Sequence, residues 1–121
     1  MKELAIIIPV YNEEENVEKV LKDWKNILEK KKFDIIVIND GSTDKTKSIL
    51  NKVRFKNSHI KVLNKINSGH GETVFLGYKY AVKKKYRFIF QVDSDDQFSS
   101  SDFKRLWKFK DKSYDLIMGN R

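Results

Sequence analysis

The sequence predicts an α/β domain built on a mostly parallel sheet with helices on both faces. Three observations predict it. Short continuous apolar runs alternate with stretches whose apolar residues recur at helical spacing. The apolar runs are followed by acidic, amide or glycine residues, as at the carboxyl ends of strands in such sheets. The 121 residues, 40% of them hydrophobic, suffice for one core and not for two.

Taken in order, Leu4 to Val10 is a near-continuous apolar run, as expected of a strand buried on both faces. Pro9 belongs near its end, where a missing N–H matters least. Val17, Val20, Leu21, Trp24, Ile27 and Leu28 come next at i, i+3, i+4, i+7, i+10 and i+11, one helical stripe. Asp34 to Ile38 is a second buried strand. Ser42 is placed to cap a second helix, with Asp44 in its first turn and Ile49, Leu50 and Val53 on its buried side. Ile60 to Leu63 is a short third strand. Val74, Tyr78, Ala81 and Val82 stripe a third helix, and Tyr86 to Val92 forms a fourth strand. Phe103, Leu106 and Trp107 mark a short fourth helix, and Tyr114 to Met118 a last strand. No repeat or low-complexity linker interrupts the pattern.

Charge and composition narrow the function classes. The net charge is +8, and lysines cluster at 30–32, 83–85 and 108–112. Each cluster follows or closes a helix-like stretch, where cations complement the helix dipole. Beyond that role, such charge suits an anionic partner: a membrane surface or a phosphorylated substrate. The basic runs sit at separate helix ends without aromatics interleaved on one face, so no nucleic-acid partner is expected. The absence of cysteine rules out a disulfide framework and a thiolate zinc site. The first apolar run is too short to span a membrane and lacks a cleavage site, so it is not read as a signal peptide. The expected location is cytoplasmic, with peripheral contact at the inner face of the membrane. No sequence feature specifies an oligomeric state.

The candidate site lies in the loops at the carboxyl ends of the strands. Asp93-Ser94-Asp95 is the sharpest signal. Carboxylates at i and i+2 on an extended turn both reach one hard cation, Mg²⁺ or Mn²⁺, with room left for substrate phosphates. Gln97 is placed to add a neutral oxygen or to orient a ligand. Alone, the string is equally an acidic loop leading into a helix capped by Ser99, Ser100 or Ser101. Asn39-Asp40-Gly41 reads either as a plain turn or as a carboxylate aimed into the crevice to accept from a base or ribose. In Gly69-His70-Gly71 the glycines let backbone approach a ligand, though the string is neither a P-loop nor a dinucleotide fingerprint. His70 reads as a loop histidine rather than a base. His59 shows no evident partner.

In order, these segments resemble the family 2 glycosyltransferases. Pro9-Val10-Tyr11-Asn12-Glu13 is similar to that family's opening motif, and residues 39–44 to its second-strand motif. Asn67-Ser68-Gly69-His70-Gly71 falls where the family carries an Asn-x-Gly loop. Asp93-Ser94-Asp95-Asp96-Gln97 looks like its metal motif. With Gly119-Asn120-Arg121, that form is most similar to the polyprenyl-phosphate (dolichol-phosphate) mannosyl- and glucosyltransferase branch. Phe98 followed by three serines departs from the prolines many relatives carry there.

The resemblance implies a Rossmann-like GT-A fold, a three-layer sandwich, with residues 1–121 as its nucleotide-diphospho-sugar-binding part. Family members continue with an acceptor-binding half beyond the point matching Arg121. The resemblance further implies a nucleoside-diphosphate sugar donor and an inverting transfer. Asp93 and Asp95 would hold the metal, with Asp95 and Arg121 serving the chemistry. Pro9, Tyr11, Glu13, Asp40, Gly69, Asp93 and Ser94 would line the nucleotide. No general base stands out in the sequence. That fits a lipid-phosphate acceptor, already an anionic nucleophile, or a base supplied from outside these residues. The alternative expectation is a non-catalytic nucleotide-sugar-binding module. A phosphoacceptor receiver domain fits poorly, since its acid pair would follow the first strand.

Overall fold

The computed structural model describes residues 3–27 and 32–92. Over them the chain runs β1 (Leu4–Val10), α1 (Val17–Ile27), β2 (Phe33–Asp40), α2 (Thr46–Lys56), β3 (Ile60–Lys65), α3 (His70–Lys83) and β4 (Phe88–Gln91). The helix expected around Phe103 to Trp107 and the strand expected at 114–118 lie outside the described residues.

The four strands form one sheet in the order β3-β2-β1-β4, and every pairing is parallel. β1 and β2 are fully buried, as their unbroken apolar runs require. Side-chain alternation divides the core in two. Leu4, Ile6, Ile8 and Val10 of β1 join Phe33, Ile35 and Val37 of β2 in a layer with Val17, Val20, Leu21 and Trp24 of α1 and Leu50 of α2. Ala5, Ile7, Ile36 and Ile38 join Ala81 of α3 in the other layer. The sheet is therefore sandwiched, with α1 and α2 on one face and α3 on the other. Trp24 meets Phe90 edge-to-face at 6.5 Å, tying α1 across β1 to β4. Pro9 lies beyond the last residue of β1 paired with β4, as its missing donor predicts.

The structure corrects the sequence reading in five places. β4 is Phe88–Gln91, shorter at both ends than the expected Tyr86 to Val92. β2 and β3 each run two residues longer at the carboxyl end than their apolar runs, so Asn39, Asp40, Asn64 and Lys65 are strand residues. Ser42 does not cap α2. The helix starts at Thr46, and the Asp44 carboxylate accepts the Thr46 N–H at 2.9 Å in place of a cap side chain.

The buried stripe of α3 is Thr73, Gly77 and Ala81, whereas Val82 is 66% exposed. The reason is proximity. A Cβ on Gly77 would stand 2.6 Å from Ile7 Cγ2 and 2.8 Å from Ile38 Cδ1, so only small residues fit between helix and sheet. His59 does have neighbours: its ring stacks on Phe33 and its Nδ1 lies 3.8 Å from the buried Asp34 carboxylate.

Candidate functional site

In an all-parallel sheet every loop that follows a strand emerges at the same edge. Here these are the loops after Val10, Asp40 and Lys65 and the chain leaving Val92. The strand order places β4 and β2 on opposite sides of β1, so the sequence of connections reverses beside β1. Crevices at such reversals are where open α/β sheets bind ligands. Val92 N–H donates to the Ile7 carbonyl at 3.0 Å, which holds the end of β4 against β1 just before Asp93.

Side chains bond the first two loops together. Asn12 adopts a left-handed φ of 50°, a conformation asparagine tolerates better than most residues. Its backbone N–H donates to Ser42 Oγ at 3.0 Å, and its Oδ1 accepts the Thr43 N–H at 2.7 Å and the Asp44 N–H at 3.3 Å. Glu13 N–H donates to the buried Thr46 Oγ1 at 2.9 Å. Lys45 N–H donates to Glu14 Oε1 at 2.9 Å, and Glu14 N–H to Asp44 Oδ2 at 3.3 Å. Desolvation works against the Asp44 charge, but the Thr46 hydroxyl and the backbone N–H groups together outweigh it, and its pKa lies below the usual carboxylate value.

Asp40 bonds the second loop to the third. Its side chain is buried and stands in register with Lys65 on β3. Lys65 Nζ donates to Oδ1 at 2.7 Å. Ser68 N–H donates to the same oxygen at 2.9 Å and Gly69 N–H to Oδ2 at 3.1 Å. The Asn67 amide donates to the Asp40 carbonyl at 3.0 Å. Burial raises the pKa of Asp40. Lys65 and the two backbone donors more than reverse that, leaving the carboxyl below its ordinary value and ionised at neutral pH.

Two glycines make this approach possible. Gly41, at φ 68°, has no room for a Cβ, which would meet Asn67 N at 2.6 Å. Gly69 sits at φ 102° as the residue before α3, and its carbonyl accepts from Thr73 N and Thr73 Oγ1.

The structure thus brings Tyr11, Glu13, Asp40 and Gly69 to one edge. Tyr11 is 48% exposed and available to a ligand face. The Glu13 carbonyl accepts from Asn16 and Val17 and starts α1. Pro9 is buried inside β1, in register with Ile38. The expected site residues Asp93, Ser94, Asp95, Gln97 and Arg121 lie outside the described residues. Among the described residues no three His, Asp or Glu side chains converge to hold a metal. His70 is exposed, but it is the first residue of α3 rather than a loop residue. Sequence reasoning missed Lys65, Thr46 and the linking role of Asn12. Lys65 becomes visible only through the β2–β3 register, which sequence does not give. Asn12 carried a signal, being an asparagine two residues past the end of a strand.

Comparison with known proteins agrees with this geometry. The family description Glycosyl transferase family 2 matches residues 5–121. An uncharacterized protein of Methanocaldococcus jannaschii is 38% identical over 98% of the chain and 52% of its own length. An uncharacterized glycosyltransferase of Mycoplasma genitalium is 31% identical over 95% of the chain and 38% of its own length. The chain therefore spans about half or less of these relatives. Among solved structures, S. aureus TarS (residues 1–349) in complex with UDP-GlcNAc superposes with a TM-score of 0.72 at 31% identity, covering 93% of this chain and 32% of that one. A Pyrobaculum calidifontis mannosyltransferase in complex with GDP-Man and Mn²⁺ gives 0.59 at 19% identity over 65% of this chain and 24% of its own, a likeness of fold. With a parallel GT-A sheet and a family match over nearly its whole length, the chain belongs to glycosyl transferase family 2.

Proposed function

We propose that this chain forms the donor-binding part of a glycosyltransferase that takes a nucleoside-diphosphate sugar with the help of Mg²⁺ or Mn²⁺. The observation that carries the reading is the fusion of three strand-end loops into one unit beside the reversal at β1, directly ahead of Asp93. S. aureus TarS, 31% identical here, was solved with UDP-GlcNAc, which supports a donor of this kind. In this reading Tyr11 and Glu13 border the base and ribose, and Asp40 either reads the base directly or positions the Gly69 loop beneath it. Asp93 and Asp95, with Gln97, would hold the metal, which would neutralise charge developing on the departing diphosphate. Ser94 would sit beside the nucleotide and Arg121 beside a phosphate. Inverting transfer to a polyprenyl phosphate at a cytoplasmic membrane surface is the finer part of the proposal. It rests on the Asp-x-Asp-x-Gln form and on the lack of a candidate base.

Calorimetry of UDP and GDP with this chain, each with and without Mn²⁺, tests the reading. The expected result is binding of one nucleotide that depends on metal and is lost in Asp95→Asn without a change in fold. Binding indifferent to metal, or no binding of either nucleotide, would sink it.

A further inference from the structure

Helix α3 leaves part of its apolar surface uncovered. Its buried stripe is small, Thr73, Gly77 and Ala81, because the sheet approaches too closely for anything larger. Leu76, Tyr78 and Tyr80 pack partly buried against the sheet, but two apolar residues face outward: Phe75 is 62% and Val82 66% exposed. With Lys79 and Lys83 they follow i, i+4, i+7 and i+8 spacing, so all four share one face. Between α3 and the edge strand β3 lies a groove of about 870 Å³ lined by Val62, Leu63, Phe75, Lys79, Val82 and Lys83. Ile66, 88% exposed, follows β3 at the end nearest the candidate site.

Charge says what this face fits. Lys79 and Lys83 lie on this face and Lys84 and Lys85 directly follow the helix, against the single acid Glu72 in its first turn, while Arg87 is paired with Glu3 at 3.6 Å. A second copy docked face to face would oppose lysine to lysine. Exposed apolar side chains set among lysines on a helix surface match an anionic interface with an apolar layer beneath it. We infer that the outer face of α3 and the groove beside β3 dock on an anionic lipid bilayer, with Phe75 and Val82 entering the headgroup boundary. The inference rests on the membrane-associated part of the proposed function. Its test uses no donor and no transfer, so nucleotide binding stands or falls separately.

The test is co-sedimentation of the chain with vesicles of phosphatidylcholine alone and with phosphatidylglycerol added. The expected result is binding to the anionic vesicles only, weakening as salt rises. Each lysine near such a surface contributes roughly five-fold in affinity, so Lys83→Gln/Lys84→Gln/Lys85→Gln is expected to lose on the order of 100-fold. Lys19→Gln/Lys45→Gln/Lys47→Gln removes the same charge from the first turn of α1 and from the start of α2, where Lys45 immediately precedes the helix, and is expected to lose under five-fold. Phe75→Ser/Val82→Ser is expected to weaken binding at least ten-fold, with an unchanged circular dichroism spectrum because both residues are exposed. Equal losses in the two lysine triples would reduce the effect to net charge and overturn the inference. Tighter binding to single-stranded nucleic acid than to vesicles would overturn it too. So would concentration-dependent self-association in the ultracentrifuge that Phe75→Ser/Val82→Ser abolishes.

Discussion

Asp40→Asn separates a carboxylate that anchors a loop from one that reads a ligand. In the wild type the Asp40 carboxylate receives Lys65 Nζ at 2.7 Å, Ser68 N–H at 2.9 Å and Gly69 N–H at 3.1 Å, with its side chain 6% exposed. The asparagine amide turns one acceptor into a donor, so it must face either Lys65 or the Gly69 N–H. Charge-assisted bonds of this kind contribute about 1.5–3 kcal/mol each, and stranding one partner of a buried ion pair costs about 3–5 kcal/mol. Lys65 also donates to the Ile66 carbonyl at 2.7 Å and to Ser68 Oγ, which moderates its loss. A destabilisation of about 3 kcal/mol is expected, lowering Tm by roughly 12 °C in a domain of this size. Lys65→Met leaves Asp40 its backbone donors and is expected to cost about half as much. The double variant should cost less than the sum of the two by about 1–2 kcal/mol.

Urea denaturation of the four proteins at pH 7 supplies the cycle, and nucleotide calorimetry on the same samples supplies the contrast. A loss under 1 kcal/mol for Asp40→Asn, with nucleotide affinity reduced at least ten-fold, would refute the anchoring argument and make Asp40 a reader of base or ribose. The pH dependence carries the same sign. The folded pKa of Asp40 is depressed, so its contribution is fully present above the ordinary carboxylate value of 3.8 and is lost as pH falls through the lower folded value. Wild type should therefore lose stability more steeply than Asp40→Asn when acidified below about pH 4.

Three further perturbations test other parts of the structure. Gly77→Ala gains about 1 kcal/mol of helix propensity but forces a methyl to within 2.6 Å of Ile7 Cγ2. A net loss of about 1–2 kcal/mol by thermal melting is expected from overpacking, and a stabilised variant would show that α3 can lift away from the sheet. Gly41→Ala combines a φ of 68° with a backbone clash at Asn67, so it should lower stability by about 2 kcal/mol or more and loosen the β3–α3 loop in hydrogen exchange. Trp24→Ala removes the buried ring that bridges α1 to Phe90 and is expected to cost about 3–5 kcal/mol in urea denaturation.

Periodicity made most of this fold legible. The unbroken apolar runs of β1 and β2 announced strands buried on both faces, and the Val17 to Trp24 stripe announced α1, because in each case the buried residues are also the large apolar ones. α3 breaks that equivalence. Its inward face is chosen by clearance from Ile7 and Ile38, so the small residues Thr73, Gly77 and Ala81 are buried while Val82 is not. No pattern of hydrophobicity reports a distance. At the site, the strings around Glu13, Asp40 and Gly69 were visible as polar strand ends, and the structure gathers them at one edge. That Asp40 is engaged by Lys65 and the Gly69 loop was not visible, because it depends on Asp40 and Lys65 sharing a register across β2 and β3. The early end assigned to β2 has the same origin: Asn39 and Asp40 are polar yet paired, since Asn39 donates to Asn64 Oδ1 at 3.0 Å across the strands.

These bonds bear on how a donor would be held. Asn12 fixes the first loop to the backbone of the second, and Asp40 fixes the second strand end to the backbone of the third. Each link includes a side-chain oxygen receiving main-chain N–H groups, so each ties a loop's backbone directly to its neighbour. A cleft assembled this way is already shaped before a ligand arrives, and ordering costs that would otherwise oppose binding have been met in folding. The same bonds leave Asp40 little spare capacity, because its two oxygens already receive three close donors. A base that hydrogen-bonds Asp40 must therefore displace Lys65 or accept a strained share, whereas Tyr11 is 48% exposed. The three-loop unit is thus best understood as a preformed part of the proposed site, ordered by the fold's own hydrogen bonds.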